Sequence, residues 1–295
     1  MKRHLLMVWY WLVNYTSRKP VTSTDMQNSP VVSLTSYDPR IGRVFATIES
    51  IAAGGQRPGR LILWLDDSFK TKPIPRSLQR LQARGLEILF CSDDGPHKKY
   101  RPYILSQAQH SLPLVTADDD VLYPHDWLTQ LWSAHRENPE TVCCYRARVI
   151  WFDSPKSNDE QNLGQPIFLN TQVAPYRSWP PCDSDQASLE HFSIGVSGVL
   201  YPPSFLSQIK KVTGDDLFRE LTPRADDIWL NCWGSYWGYK KKQLTPVAQE
   251  FTQIPFSSRS ALHRRNVVQG ENDAQMQAMV NHLKSLSLLQ GSATK

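Results

Sequence analysis

From residue 31 onward the chain alternates two kinds of apolar pattern. Short continuous runs, "VVSLTS" from 31, "RLILWL" from 60, "LEILF" from 86 and "LPLVTA" from 112, have the length and composition of buried strands. Between them lie "RIGRVFATIESIAAGG", "IPRSLQRLQARG" and "YRPYILSQAQH", whose apolar residues recur at helical spacing and of which the first two end in glycine. Strands alternating with helices of this length predict an α/β fold, a mainly parallel sheet flanked by helices. Right-handed crossovers put the strand C-termini on one edge, and ligands of such sheets bind in the crevice beyond it. "TSY" (35–37), Asp66 and Asp67, "SDD" (92–94), and Asp118, Asp119 and Asp120 all fall on that edge.

The second half is less regular. A helix is expected at "PHDWLTQLWSAHREN", with Pro124 in its first turn. Strand-like "TVCCYRARVIWF" follows, then a segment rich in Pro, Ser and Asn to about residue 190, long enough to be a lid or acceptor-binding loop. Glycines interrupt an apolar strand in "FSIGVSGVLYPPSFL", which suggests a bulge or close backbone approach to a ligand. Trp229, Trp233 and Trp237 recur every four residues and share one helix face. Large aromatics bury well, so a core stripe is preferred there over a sugar-stacking platform. "ENDAQMQAMVNHLKSLSLL" closes the chain with helical spacing.

The N-terminal "MKRHLLMVWYWLV" changes the picture. Its apolar core of about nine residues is far below the ~20 needed to span a bilayer. It has no small-residue cleavage site, and its Trp and Tyr content predicts an interfacial anchor, a peripheral contact on the inner face of a membrane. "SRKPVTSTDMQNSP" reads as a linker. A net charge of +5 over 295 residues is spread over short clusters, "HKKY", "YKKKQ" and "HRRN". Such clusters suit solvated surface, an anionic ligand or a membrane, and no nucleic-acid partner is expected. Five cysteines at 91, 143, 144, 182 and 232 lack metal spacing and are odd in number, which predicts reduced thiols in a cytoplasmic setting.

The triplet Asp118, Asp119 and Asp120 is the most unusual local feature. Adjacent carboxylates repel and raise one another's pKa unless a cation or hydrogen-bond donors compensate. Helix capping does not explain them, since a cap sits immediately before the first helical residue and Pro124 lies several residues further on. Clustered hard oxygen ligands suit Mn2+ or Mg2+, with room left for substrate phosphates; a solvated acidic turn is the alternative. The chain has no G-x-x-x-x-G-K-[ST] loop and no G-x-G-x-x-G after its first strand, so a bound nucleotide would be held through metal and acids.

"SLTSYDPRIGRVFATIESIAAGGQRPGRLILWLDD", "TADDDVLYPHDWL", "GVSGVLYPP" and "ADDIWL", in that order, resemble a bacterial family of GT-A type glycosyltransferases similar to family 2 enzymes, often encoded with capsule or lipopolysaccharide genes. The similarity runs from about residue 30 to about 280. It implies a GT-A, Rossmann-like single domain over residues 30–290, with a nucleotide-sugar half (30–125) and an acceptor half (126–290), after an N-terminal segment and linker (1–29). On that resemblance Asp118, Asp119 and Asp120 form a D-x-D metal motif, completed by His263 of "LHRRN", with Asp118 also serving the nucleotide. Thr35, Ser36 and Arg40, with Asp66 or Asp67, would surround the nucleoside, although turn and capping chemistry explains the same residues. Lys98 and Lys99 would face the diphosphate. "ADDIW" resembles the acidic motif that deprotonates the acceptor hydroxyl, with Asp227 the preferred base and Asp226 its neighbour; capping of the following helix is the competing role. "NDAQ" at 272–275 resembles a family motif whose role does not follow from its residues.

The activity so implied is metal-dependent and inverting: transfer of a sugar from a UDP- or GDP-sugar to a glycan or lipid-linked acceptor in surface polysaccharide synthesis. Clustered aspartates and a metal would equally serve a nucleotidyl or phosphoryl transferase. A catalytically silent glycan-binding protein would leave "DDD" and "ADDIW" without a purpose.

Overall fold

The computed structural model describes residues 2–38, 40–153, 172–255 and 270–293. The four apolar runs become parallel strands β1 (Val31–Thr35), β2 (Arg60–Asp66), β3 (Leu86–Cys91) and β4 (Leu114–Ala117), side by side in the order β3-β2-β1-β4. Val32 lies opposite Leu61 on one side and Val115 on the other. Six further elements of strand follow β5 (Val121–Leu122): β6 (Val142–Cys144), β7 (Ala147–Val149), β8 (His191–Ser193), β9 (Val199–Tyr201), β10 (Lys241–Gln243) and β11 (Thr252–Gln253). The main sheet continues from β4 through β9 and β6 to β10, and β9 runs antiparallel to both of its neighbours. This is the expected α/β, Rossmann-like arrangement.

The near-continuous apolar strands reflect burial on both faces. Val32, Leu34, Leu61 and Leu63 face one core, which is closed by α2 (Val44–Ala52), α3 (Arg76–Gln82) and α5 (Trp127–Glu137). Val31, Ile62 and Trp64, the alternate positions, face the other core, under α4 (Arg101–Leu105), α6 (Pro203–Thr213), α7 (Leu217–Leu221), α8 (Asp226–Tyr236) and α9 (Glu271–Ala293). Trp229 and Trp233 are buried there edge to face, and Trp237 stacks on Trp233 with centroids 4.9 Å apart, as the core reading expects.

Several elements depart from the sequence expectation. The helix after the triplet starts at Trp127, because Asp126 is not helical and Pro124 belongs to a preceding turn whose carbonyl accepts from Trp127 N–H at 3.1 Å. "TVCCYRARVIWF" is not one strand. It divides at Tyr145–Arg146, and β7 leaves the main sheet to pair antiparallel with β8. His263 lies outside the described residues.

The N-terminal segment is a helix, α1 (Lys2–Thr16), laid against α2 and α3. Leu6, Met7 and Tyr10 pack on the core, and buried Asn14 donates to Glu49 Oε1 at 2.9 Å and to the Ser77 carbonyl at 3.1 Å. Glu49 is itself buried and takes two bonds from Arg84, at 2.6 and 3.1 Å. Removing one partner of a buried ion pair strands the other's charge, which is far more damaging than replacing both. Arg84→Met should therefore destabilise the fold by roughly 3–5 kcal/mol in chemical denaturation. The double change Glu49→Leu with Arg84→Met should lose less than the single one; a double variant that loses more would show that the pair is not isolated in this way.

Candidate active site

Beyond the C-terminal ends of β1 and β4 the chain encloses a cleft of about 650 Å3. Thr35, Ser36, Arg40, Lys98, Lys99 and the Asp118–Asp120 triplet line one side; Asp226 and Asp227 line the other. Asp66 and Asp67 do not line it. Asp66 caps a 3-10 turn by accepting from Ser68 N–H at 3.0 Å and lies 3.8 Å from the Lys98 ammonium, while Asp67 pairs with Lys70 at the surface. Thr35 is also occupied, its hydroxyl donating to the Trp64 carbonyl at 2.9 Å.

The three triplet carboxylates divide between two cations, Arg40 and Lys99. Asp119 is buried, with Oδ2 accepting from Ser36 Oγ at 2.6 Å and Oδ1 from Arg40 at 2.8 Å. Burial raises its pKa, against the opposing pull of Arg40 and Ser36. Asp120 pairs with Arg40 at 3.2 Å and Asp118 with Lys99 at 2.6 Å. The backbone of the turn is satisfied as well: Asp118 N–H donates to Tyr123 Oη, the Asp119 carbonyl accepts from Thr47 Oγ1, and the Asp120 carbonyl accepts from Ile254 N–H. Cations of the protein itself thus meet the repulsion that singled out the triplet.

Lys99 comes from a 3-10 turn, Gly95–Lys99, folded back over β1, where Ser33 Oγ donates to the Lys99 carbonyl at 2.6 Å. Its ammonium lies between Asp118 and Asp226, the latter at 3.5 Å. Burial disfavours the charge, but Asp118, Asp226 and Asp227 outweigh it and hold the Lys99 pKa well above the ordinary lysine range. Lys98 is buried and pairs with Asp93 at 2.6 Å.

Asp226 and Asp227 form the first turn of α8, so both the site role and the helix-start role apply to them. Asp227 Oδ2 accepts from Gly195 N–H at 3.1 Å. A side chain at 195 would put its Cβ 2.8 Å from Asp227 Oδ1, which is the close approach that the glycines of "FSIGVSG" suggest. Asn231, one turn further along α8, bonds the Ser193 backbone in both directions and keeps β8 registered against the helix. Burial and the neighbouring Asp226 push the Asp227 carboxyl up to about 7, against Lys99 and the Gly195 N–H.

Sequence reasoning missed the wall beside Asp227. Tyr176, Arg148 and Asn272 line the cleft there. Arg148 donates to the Trp179 carbonyl at 2.6 Å and lies over the Tyr176 ring, and among the described residues no carboxylate pairs with it. "NDAQ" belongs to this wall: Asp273 accepts from Tyr176 N–H at 2.6 Å, Gln275 accepts from Arg224 N–H at 3.0 Å, and Asn272 Oδ1 has no hydrogen-bond partner among the described residues. Residues so far apart in sequence leave no spacing signal.

Among the described residues no three His, Cys, Asp or Glu side chains are arranged to hold a metal ion. With both Asp119 oxygens taken by Ser36 and Arg40, the donor set reduces to Asp118 and Asp120. Two carboxylates fit Mg2+-type binding, in which substrate phosphates and water complete the shell, and do not fit a cage made by protein alone.

No family model matches the chain, and no curated protein matches it. Among solved structures, a CMP:2-keto-3-deoxy-manno-octonic acid synthetase complexed with CTP is 11% identical, with a TM-score of 0.41, over 72% of this chain and 87% of that one. The 4-diphosphocytidyl-2C-methyl-D-erythritol synthase from Anaerococcus prevotii is 10% identical, with a TM-score of 0.44, over 86% of this chain and 100% of that one. At that level the likeness is one of outline, and no activity is assigned from it.

A carboxyl whose pKa is raised by folding binds its proton more tightly in the native state. Asp227 therefore contributes nothing below its unfolded pKa near 4, destabilises progressively from about 4 to about 7, and imposes its full penalty above that. Asp227→Asn, which can still accept from Gly195 N–H, should melt higher than the parent at pH 8, by a margin that shrinks towards pH 4. A margin independent of pH would show that Asp227 is ionised at ordinary pH.

Proposed function

We propose that the protein is a glycosyltransferase that uses a nucleotide-sugar donor. The observation that carries this reading is Asp227, a carboxyl open to the cleft, poised near neutrality and held by a backbone N–H across Lys99 from Asp118. Transfer to a hydroxyl needs a base within hydrogen-bond reach and ionised at working pH.

In this reading the UDP- or GDP-sugar lies along the wall of Ser36, Arg40, Lys98 and Asp118. The acceptor, a glycan or lipid-linked sugar, enters beside Tyr176. The acceptor oxygen bonds to the anomeric carbon as the bond from that carbon to the donor phosphate breaks, the hydroxyl proton passes to Asp227, and the nucleoside diphosphate leaves. One displacement inverts the anomeric centre. Lys99 keeps Asp118 and Asp226 in position and offsets their charge. Asp118 and Asp120 would hold Mn2+ or Mg2+, which would supply neutralisation of the charge on the leaving diphosphate. The guanidinium of Arg148, with no carboxylate partner among the described residues, favours an acceptor bearing a carboxylate or phosphate near the reacting hydroxyl. A second reading, nucleotidyl transfer, draws on the same lysines and aspartates, which suit a triphosphate as well as a diphosphate.

Incubation with nucleotide sugars, Mn2+ and an acceptor panel should release UDP or GDP, and pyrophosphate released from a nucleoside triphosphate would favour the second reading instead. Turnover should rise with pH to a plateau above about 7, where Asp227 is ionised. Asp227→Asn should lower it at least ~10²-fold with donor affinity kept, and undiminished turnover would remove Asp227 as the base. Arg148→Gln should raise KM about tenfold for anionic acceptors and leave neutral ones unchanged; an equal effect on both would make Arg148 structural.

A further inference from the structure

A helix docked on a globular body ordinarily turns its polar side outward, but α1 is apolar on both sides. Its inner face packs on the core through Leu6, Met7 and Tyr10, with Asn14 buried beside them. Its outer face presents Leu5, Val8, Trp9, Leu12 and Tyr15, spaced three or four apart and therefore on one stripe. These side chains are 63, 57, 60, 45 and 61% exposed, and Trp11, at 52%, stacks on Tyr15. No other stretch of the described chain exposes large apolar residues so densely. A contiguous exposed apolar patch of this kind marks an interaction surface.

The charges around the stripe indicate what covers it. The first 24 residues contain four Lys or Arg and no acid, the first carboxylate being Asp25. Arg3 and His4 are exposed at one end of the helix, and Arg18 and Lys19 just past the other. The guanidinium of Arg80 lies over the Tyr15 ring at the margin. Two copies meeting through this face would oppose like charges, whereas an anionic lipid surface would meet apolar residues with acyl chains and basic residues with headgroups. Trp and Tyr favour that interface. No described helix is long and apolar enough to cross a membrane, which leaves a helix lying in the interfacial plane.

We propose that α1 is a rigid membrane-docking face that seats the protein on anionic lipid bilayers. It is no flexible tether: Asn14, bonded to Glu49, and the packing on α2 and α3 fix the helix to the sheet body, so docking fixes the orientation of the whole protein. This is independent of the chemistry in the cleft. It also means that deleting the segment is a poor test, since deletion uncovers the buried Glu49–Arg84 pair. Substitution on the outer face leaves that pair covered.

The test is co-sedimentation of the full chain with vesicles of about two parts phosphatidylcholine to one part phosphatidylglycerol, against pure phosphatidylcholine. The parent should bind the mixed vesicles and release as salt rises. The variant Leu5→Gln with Trp9→Gln should bind at least ~10-fold more weakly while keeping the parent melting temperature. Arg18→Gln with Lys19→Gln should weaken binding to the mixed vesicles and lose part of the salt dependence. Absence of parent binding at low salt, or unchanged binding by the outer-face variant, overturns the proposal. So does a parent that is dimeric in sedimentation velocity, becomes monomeric with Leu5→Gln and Trp9→Gln, and ignores vesicles: the stripe would then be a contact between copies.

Discussion

The cleft is organised around the ammonium of Lys99. It is a half-buried cation whose charge is supported by carboxylates on two separate structural units: Asp118 at the end of β4 and Asp226 at the start of α8. Take the cation away and those acids, with Asp227 beside them, would repel across a space with little water to screen them. The backbone of Lys99 is held as firmly as its side chain, through Ser33 on the central strand. One residue thereby ties the sheet edge, the acidic triplet and the helix carrying the proposed base. The Asp227 carboxyl is raised by its burial and by Asp226 beside it, and Lys99 opposes that shift.

Much of this was legible before any coordinates. The alternation of apolar runs with helical spacing located β1 to β4 and the edge at which the site lies, because strands buried on both faces have little freedom in composition. The triplet was legible as an anomaly, and the glycines of "FSIGVSG" as a close approach. What periodicity does not encode is strand order. The insertion of β9 between β4 and β6, and the departure of β7 to pair with β8, depend on contacts between residues far apart in the chain. The partners of the triplet, Arg40 and Lys99, were hidden for the same reason. Asp66 and Asp67 read as site residues from position alone, although neither lines the cleft.

The N-terminal segment shows a different limit. Its Trp and Tyr content suggested an interfacial anchor, but composition cannot say whether such a stretch hangs free. Asn14 in the last turn of an apolar helix was the residue that could have given the docking away, because a buried amide needs partners on another element.

The sheet order has a consequence for assembly. Strands β1 to β4 are joined by short crossovers, so each closes a modest loop onto its neighbour or near-neighbour. The strands that build the wall behind Asp227 pair Leu114 with Tyr201 and Val142 with Lys241, contacts between distant parts of the chain. Loop-closure entropy grows with such separations, and non-local pairing is the slow part of forming a sheet. The entropic burden of making this site therefore falls unevenly: the wall at the ends of β1 and β4 is built from neighbours in the chain, while the proposed base meets it only once the long-range strands have closed.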